Sequence, residues 1–320
     1  MNVSVLGCGR WGSFLAWYLS REHAVTVWGR PGSRGLEALR TAHKNQYVTL
    51  PDTVLCTNDL AQAAGTAEAI VISISAQQLR SLAAQLNALP IAGKTLILCM
   101  KGLECDTGKR LTQVIGEEIR QPVHTAVWVG PGHVEDFTAG IPNCMVVDSA
   151  EPDVVDCVTS AFSSELIRLY KGADLVGTEI GAAAKNVIGI AAGMLDGVGL
   201  SSLKGALMAR GAREVARLIH AMGGNELSAY GLCHLGDYEA TLFSRYSHNR
   251  QFGESYIRGE SYGALAEGVP TAKALVRLGA QCGVELPISE TVYRILYENE
   301  NALDALKALF ARSVKGEFYL

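Results

Sequence analysis

The sequence predicts an α/β protein in which a doubly wound, mainly parallel sheet is followed by an all-α region. In the first part of the chain, short β-branched runs alternate with helical stretches, which is the pattern of successive βαβ units. From about Thr178, long helical patterns follow with few strand signals. The 320 residues, 48% of them hydrophobic, are enough for two buried cores. We therefore expect two domains, residues 1–177 and residues 178–320.

The predicted strands of the first domain are short apolar runs. The first helix is expected from about Trp11 to Glu22, and the helix after the fourth strand should continue to Leu89. Because helices separate most of these runs, the strands should pair in parallel. In chain order, the runs are NVSVLG, VTVWG, TVLCT, AIVISIS, TLILCM, HTAVWVG, NCMVVD and IRLYK.

The second domain contains the longest helical patterns of the chain, and no repeat or low-complexity linker precedes it. Its longest apolar tract, residues 187–195, is too short and too rich in glycine to span a bilayer, so we expect a buried helix and no membrane insertion. The patterns are IGAAAKNVIGIAAGML, ALMARGAREVARLIHAMGG and VPTAKALVRLGAQCG.

Charge and cysteine usage narrow the class of protein. The net charge is −4 and neither sign forms a long run, so the electrostatic footprint of a nucleic-acid binder is missing and a small-molecule partner is expected. The eight cysteines are scattered without a C-x-x-C pair, which favours free thiols and no metal site. Met1 leads directly into a strand, without an export signal, so we expect a cytoplasmic protein.

A glycine motif follows the first predicted strand. Gly7, Gly9 and Gly12 form G-x-G-x-x-G, with Arg10 and Trp11 inside it, at the start of a helix. Such glycines permit a tight turn, close approach of a pyrophosphate and close helix packing, while the helix N-terminus attracts the phosphate charge. The motif predicts that residues 1–177 are a Rossmann domain that binds NAD(P).

The end of the second strand bears on the choice of cofactor. An NAD site usually places an acidic residue there for the ribose 2′-hydroxyl, and VTVWGR has none. Arg30 stands there instead, and a guanidinium can bind a 2′-phosphate through two hydrogen bonds. We predict a preference for NADP(H), with NAD(H) also accepted; the alternative is that Arg30 is an ordinary exposed charge.

Two lysines lie where the sequence is otherwise apolar. Lys101 follows the strand TLILCM, and Lys185 lies within GAAAKNVIGIAAG. A buried lysine loses the stabilisation of its charge, so its pKa falls towards values that suit proton transfer. Both are candidate catalytic residues; for each alone, the alternative is a lysine whose ammonium reaches solvent.

Taken together, the motifs resemble those of the bacterial NAD(P)-dependent glycerol-3-phosphate dehydrogenase family from end to end. The resemblance implies interconversion of dihydroxyacetone phosphate and sn-glycerol 3-phosphate, which supplies glycerophospholipid synthesis. A homodimer is compatible with this resemblance. In order, the motifs are Gly7–Gly12, Lys101-Gly102, Gly130-Pro131, Gly181–Gly193 with Lys185-Asn186, Leu235-Gly236-Asp237, Asn249–Gly253 and Glu267-Gly268.

The resemblance also implies roles for individual residues. Lys185 corresponds to the proton acceptor, Lys101 to a lysine that contacts substrate and cofactor, and Asp237 to an aspartate that completes the polar pocket. Asn186 and Thr241 join this catalytic set. On the cofactor side, the resemblance adds Val134, Leu265 and Glu267 to the glycine motif, Arg30 and Lys101. On the substrate side, it implies Lys101, Gly130, Gly132, Lys185, Asp237, Ser247, His248, Asn249 and Arg250.

Two departures concern the substrate phosphate. The family usually has an arginine where this chain has His248, and a hydroxyl residue where it has Gly132. A histidine offers one donor per nitrogen and is mostly neutral above pH 6.5, so the phosphate clamp is altered unless Arg245 or Arg250 compensates. Two alternatives therefore stay open: a sister dehydrogenase that reduces a different small oxo compound, and an inactive nucleotide-binding sensor.

Overall fold

The computed structural model describes residues 1–311 and residue 316, apart from the side chain of Phe310. Within this part of the chain, eight strands form one sheet in the order β3-β2-β1-β4-β5-β6-β7-β8. Neighbouring strands pair in parallel except β6 with β7, which pair antiparallel. The strands are β1 (Asn2–Leu6), β2 (Ala24–Trp28), β3 (Leu55–Thr57), β4 (Ala69–Ile72), β5 (Thr95–Leu98), β6 (His124–Val129), β7 (Asn143–Asp148) and β8 (Ile167–Lys171).

The described chain divides into two compact units. One unit, called here the sheet unit, joins Met1–Met100 to Leu111–Leu175; the other, the helical unit, joins Lys101–Arg110 to the described chain from Val176 onward. The helices of the sheet unit are α1 (Arg10–Leu19), α2 (Arg34–Ala42), α3 (Leu60–Thr66), α4 (Leu79–Asn87), α5 (Leu111–Glu118), α6 (Val134–Thr138) and α7 (Pro152–Phe162). The helices from Leu175 onward are α8 (Leu175–Gly197), α9 (Lys204–Ala221), α10 (His248–Ile257), α11 (Gly268–Cys282), α12 (Pro287–Tyr297) and α13 (Ala302–Phe310).

The central strands of the sheet are buried on both faces, which explains why they are nearly continuous apolar runs. Alternate residues of a strand point to opposite faces. Val3 and Val5 of β1 belong to one core, and Leu6 belongs to the other together with Ile70 and Ile72 of β4. Since β1 lies between β2 and β4, the strand order reverses beside β1, and the crevice outside such a reversal is where doubly wound sheets bind their ligands.

The helical unit is built around α8. This helix is long and apolar enough to pass a length-and-composition test for a membrane span, but most of its apolar stretch is buried within the protein. Its side chains form a core with α9, α11 and α12, in which Ile188, Val215, Leu275 and Val292 are at most 1% exposed. The helix is therefore accounted for as the core helix of a packed domain.

The predicted fold class is confirmed: a mainly parallel sheet comes first, and the structure described after Leu175 is helical. The first helix ends at Leu19 instead of Glu22, because the next backbone hydrogen bonds tighten to the i−3 pattern at Arg21 and Glu22. We keep the domains 1–177 and 178–320 as a proposal. One feature does not follow from chain order: the segment Lys101–Arg110 belongs to the helical unit, although it lies between two parts of the sheet unit.

Candidate active site

The glycine loop after β1 has three distinct geometries. Gly7 has φ +124°, which disfavours any side chain, and a Cβ there would lie 2.1 Å from the carbonyl oxygen of Ser73 after β4. A Cβ on Gly12 would lie 2.0 Å from the carbonyl oxygen of Gly7. A Cβ on Gly9 would meet no atom within 4 Å. The protein itself needs glycine at 7 and 12, whereas the space at Gly9 is left for something outside the chain.

The residues next to this loop join it to α6. Arg10 forms an ion pair with Glu135, and the ring of Trp11 lies 6.1 Å from that of Phe137. Val134, the first residue of α6, is buried in the core of the sheet unit, so its side chain packs inside the protein. The loop is thus held by an ion pair and by aromatic packing within one unit.

Gly130 and Gly132 both have positive φ, +142° and +135°. A Cβ at Gly132 would lie 2.3 Å from the ring of Phe137, and one at Gly130 would lie 2.8 Å from the Cα of Met145. A hydroxyl side chain at position 132 therefore has neither the backbone conformation nor the room that it needs in this chain. The departure at Gly132 has a steric cause in Phe137.

Arg30 lies two residues beyond β2, and it is exposed. Among the described residues it forms no ion pair, and its backbone carbonyl accepts a hydrogen bond from the amide of Ser33, the N-cap residue of α2. Its guanidinium is thus available to a ligand at the end of the strand.

A cluster of two lysines around one carboxylate lies in the helical unit. The Oδ2 atom of Asp237 is 2.5 Å from the Nζ of Lys185 and 2.8 Å from the Nζ of Lys101. Lys185 also donates to the Oγ1 of Thr241 at 2.9 Å. The Asp237 side chain is 1% exposed and that of Lys101 is 20% exposed, so Lys101 is the more solvent-accessible of the two.

Each member of the cluster comes from a different local structure. Lys185 lies near the middle of the buried helix α8, Asp237 ends a 3-10 turn over Leu235–Asp237, and Thr241 lies in a π-helical turn over Glu239–Phe243. Single π turns are often found at functional sites, because they displace a side chain from the regular helical position. Lys101 begins the segment that follows β5.

Burial lowers the pKa of Lys185 to about 7, against the raising effect of Asp237 and with the help of the charge on Lys101. A neutral amine has two N–H bonds, and here they point to Asp237 and Thr241. The nitrogen lone pair then remains to accept a proton, and the side chain of Lys101 also lies within hydrogen-bond range of this amine. When the amine is protonated, its third N–H is the one that can be given back. The geometry therefore suits Lys185 as a general base in one direction and a general acid in the other.

A chain of amide hydrogen bonds holds the backbone of the lysine cluster in place. The Nδ2 of Asn186 donates to the carbonyl oxygen of Lys101 at 2.6 Å, and the Nδ2 of Asn249 donates to the Oδ1 of Asn186 at 3.0 Å. The Oδ1 of Asn249 in turn accepts from the amide of Gly268, at 2.9 Å, at the start of α11. This chain fixes the backbone of Lys101 relative to α8, α10 and α11.

The residues implied for the substrate phosphate lie around the N-terminus of α10. Ser247 caps this helix by accepting from the amide of Arg250. His248 is hydrogen-bonded to the hydroxyl of Tyr262 through Nδ1, at 2.5 Å. The Nη1 of Arg250 lies 2.7 Å from a carboxylate oxygen of Asp196 and 2.9 Å from one of Glu254. Arg250 already has two carboxylate partners, which weakens it as a substitute phosphate ligand.

The remaining two residues of the predicted cofactor set lie just before α11. Leu265 is 58% exposed, and Glu267 directly precedes Gly268, with its carbonyl accepting from the hydroxyl of Thr271. Both belong to the helical unit, as does Lys101, while the glycine loop, Arg30 and Val134 belong to the sheet unit. The described residues contain no group of three or more His, Cys, Asp or Glu side chains placed to hold a metal ion.

One buried pair was missed from the sequence. His234 is 0% exposed and lies three residues before Asp237. Its Nδ1 is 2.8 Å from the carbonyl oxygen of Gly181 and its Nε2 is 2.6 Å from the hydroxyl of Tyr238. The available signal was the spacing, since His234 and Tyr238 flank the aspartate of the Leu235-Gly236-Asp237 motif.

Comparison with family models covers nearly the whole chain. Residues 2–155 match the N-terminus of NAD-dependent glycerol-3-phosphate dehydrogenase, and residues 174–307 match its C-terminus. Glycerol-3-phosphate dehydrogenase [NAD(P)+] of Prosthecochloris aestuarii is 36% identical, over 99% of this chain and 100% of its own length. The corresponding protein of Moorella thermoacetica is also 36% identical, over 97% of this chain and 96% of its own length.

Solved structures give the same picture. The crystal structure of glycerol-3-phosphate dehydrogenase from Coxiella burnetii is similar with a TM-score of 0.92 and 26% identity, covering 97% of this chain and 99% of that one. A D-mandelate dehydrogenase structure has a TM-score of 0.65 at 12% identity, over 95% of this chain and 99% of that one, which shows a shared fold alone.

Proposed function

The chain belongs to the NAD-dependent glycerol-3-phosphate dehydrogenase family, and we propose that it interconverts dihydroxyacetone phosphate and sn-glycerol 3-phosphate with a nicotinamide cofactor. The observation that carries the proposal is the contact of Lys185 and Lys101 with the single buried carboxylate of Asp237. An inactive nucleotide-binding sensor has no chemical use for this arrangement. The product, sn-glycerol 3-phosphate, would serve phospholipid synthesis in the cytoplasm, where the eight free cysteines would stay reduced.

Lys185 is the proposed proton carrier. In the oxidative direction, its lone pair takes the proton of the C2 hydroxyl while the C2 hydride leaves, so the C–H and O–H bonds break and a carbonyl forms. Asp237 and Thr241 hold the amine by its two N–H bonds, which aims the lone pair away from both. In the reductive direction, protonated Lys185 returns that proton to the developing alkoxide.

Lys101 is the proposed electrostatic partner of the substrate oxygen. Its ammonium pairs with Asp237, and its side chain is 20% exposed. A preorganised cation near a developing oxygen charge stabilises the transition state more than the ground state. The same charge helps to keep Lys185 neutral before the proton is transferred.

The residues of the sheet unit fit a dinucleotide. The open space at Gly9, the positive φ of Gly7 and the N-terminus of α1 would hold the pyrophosphate, and Arg30 would reach a 2′-phosphate. When bound, the nicotinamide supplies or accepts the hydride. Arg30→Asp is expected to lower kcat/KM for NADPH about tenfold to hundredfold relative to NADH, because it removes a charge-assisted pair. An unchanged ratio would leave Arg30 as a surface charge.

The substrate is the part of the proposal that needs the most direct test. NADPH consumption should be measured with dihydroxyacetone phosphate and with a panel of small 2-oxo acids, on the purified full-length protein. Turnover of dihydroxyacetone phosphate in clear preference to the acids is the expected result. If an unphosphorylated oxo compound is the better substrate, the chain is a sister dehydrogenase, which is the reading favoured by His248 and by the carboxylate partners of Arg250.

His248 distinguishes these two outcomes further. If dihydroxyacetone phosphate is the substrate, His248→Arg should lower its KM about tenfold, because an arginine remains charged and binds phosphate through two bonds. The control is Tyr262→Phe, which frees the His248 ring from its hydroxyl partner without adding charge. A native reaction damaged by His248→Arg would instead support the sister dehydrogenase.

A further inference from the structure

The helical unit contains a second hydrogen-bonded assembly directly behind the proposed proton carrier. It consists of His234, Tyr238 and the carbonyl group of Gly181, all of them buried. The rings of His234 and Tyr238 meet edge to face with centroids 4.8 Å apart. The proton transfer proposed above uses neither side chain.

The donor and acceptor roles in this assembly follow from the protonation state of each group. Burial lowers the pKa of His234 to about 4, and burial raises the pKa of Tyr238 well above its ordinary value, so both are neutral in the working range. A carbonyl oxygen can only accept, so Nδ1 of His234 carries the hydrogen donated to Gly181. Its Nε2 is then the acceptor, and Tyr238 donates to it. The backbone of Gly211 also lies within hydrogen-bond range of the ring.

His234 joins the two segments that carry the lysine and the aspartate. Its side chain donates to the carbonyl of Gly181, which lies one helical turn before Lys185 in α8 and is the regular acceptor for that lysine's amide. The backbone carbonyl of His234 accepts from the amide of Asp237 at 3.0 Å. One residue therefore bonds to the turn below Lys185 and to the turn that ends at Asp237.

The approach of these two segments is close. A Cβ at Gly181 would lie 2.9 Å from the Sγ of Cys233 and 3.1 Å from the Cβ of His234, so any larger residue there would push the helix and this loop apart. Tyr238 packs in the helical core, and its hydroxyl sets the plane of the imidazole. The ring cannot turn away from Gly181 without breaking that bond.

We propose that His234 and Tyr238 are positioning residues, which fix the distance between the Nζ of Lys185 and the carboxylate of Asp237 by clamping the Gly181 turn of α8 to the 3-10 turn of Asp237. The inference rests on the proposed function, since it assigns the clamp to that proton transfer. A pair that only stabilised the fold would contribute to unfolding free energy and leave turnover per folded molecule unchanged. The clamp predicts an effect on turnover itself.

The test uses variants that remove one bond at a time. Tyr238→Phe keeps the ring and loses the donor to Nε2, whereas His234→Asn keeps a donor near the Nδ1 position and loses the Nε2 acceptor. Each should lower kcat for dihydroxyacetone phosphate reduction about three- to tenfold while KM changes less than about twofold, because the loss falls on the alignment of the proton transfer. The double variant should be little worse than His234→Asn alone, because both changes break the same bond.

A matched control lies in the sheet unit. Tyr18 is buried, and its hydroxyl is hydrogen-bonded to the carbonyl oxygen of Phe162 at 2.6 Å and to the hydroxyl of Ser164 at 2.8 Å, so Tyr18→Phe removes two hydrogen bonds far from the lysines in sequence. It should lower Tm at least as much as Tyr238→Phe and leave kcat unchanged. Measurements of Tm on all variants separate loss of stability from loss of alignment.

The pH profile supplies a readout that a structural role would not move. Asp237, Lys101, Thr241 and His234 face Lys185, and of these the carboxylate raises the lysine's pKa. Loosening the clamp weakens that contact, so the acidic limb of glycerol phosphate oxidation should move down by about half a pH unit in Tyr238→Phe. If kcat and the acidic limb are both unchanged in Tyr238→Phe and in His234→Asn, the proposed clamp is wrong. Absence of turnover in the wild-type protein would instead overturn the proposed function.

Discussion

The glycine loop of the sheet unit and the lysine cluster of the helical unit are built in opposite ways. The loop is six consecutive residues whose roles follow from local backbone geometry, as the φ of Gly7 and the contact of Gly12 show. The cluster joins Lys101, Lys185 and Asp237, which only the packing of a buried helix against loops brings together. A local motif can be recognised without its fold, whereas a cluster of distant residues depends on the fold for both its geometry and its pKa values.

The most severe way to break the cluster is to remove its proton carrier. Lys185→Met keeps the length and apolar stem of the side chain, so the protein should fold and bind NADPH almost unchanged. We expect kcat to fall about 10²- to 10⁴-fold, the usual contribution of a positioned acid or base. Steady-state kinetics and fluorescence titration of NADPH check this prediction, and an active variant would remove Lys185 from the mechanism.

The glycine loop makes the contrasting prediction, because there the backbone and not a side chain matters. Gly9→Ala adds a methyl group that meets no protein atom, so Tm should be unchanged while Kd for NADPH rises about tenfold or more, since the methyl occupies the space left for the pyrophosphate. Gly12→Ala is the matched variant, and its clash with the Gly7 carbonyl should lower Tm. Equal Tm values for the two variants would contradict the assigned roles.

The pKa of Lys185 predicts opposite pH profiles for the two reaction directions. Oxidation of glycerol phosphate needs the neutral amine, so its kcat/KM should fall about tenfold per pH unit below about 7 and level off above. Reduction of dihydroxyacetone phosphate needs the protonated amine and should fall by the same factor per unit above about 7. Profiles collected at constant ionic strength test this, and two limbs on the same side would be inconsistent with one shared lysine.

The smallest effect on turnover is expected at Glu214, a buried carboxyl of α9 that accepts from the amides of Ile288 and Ser289 at the start of α12. Burial raises its pKa to about 7 from 4.5. Between pH 4.5 and 7 the unfolded chain ionises first and binds fewer protons than the folded protein. The contribution of Glu214 to the free energy of unfolding is therefore complete below pH 4.5. It is lost as the pH rises to about 7, by at most about 1.4 kcal/mol per pH unit.

Glu214→Gln should remove this slope, because an amide does not titrate, and leave kcat within about twofold. Chemical denaturation at several pH values measures the slope, and Glu165→Gln, a change at an exposed carboxylate, is the control. A slope that persists in Glu214→Gln would assign it to another group.

The sequence was sufficient for features that depend on short-range patterns. The eight apolar runs became the eight strands of one sheet, and the G-x-G-x-x-G loop follows β1 as expected. The apolar setting of Lys185 also predicted its lowered pKa. What could not be predicted were long-range polar pairings: the carboxylate of Asp196 on Arg250, the clamp of His234 on Gly181 and the bonds of Glu214 to α12. Each joins residues whose sequence neighbours carry no sign of the partner.

The segment Lys101–Arg110 has a consequence for how the protein is made. It leaves the ribosome between β5 and α5, but Leu103 is buried in the core built on α8, and Arg110 pairs with Glu179. A nascent chain emerges N-terminus first, at about 5–20 residues per second. The first strands can therefore pair before α8 and Glu179, the partners of this segment, have been synthesised. The reacting groups are thus assembled last, and no single cut of the polypeptide yields two fragments that each contain a whole compact unit.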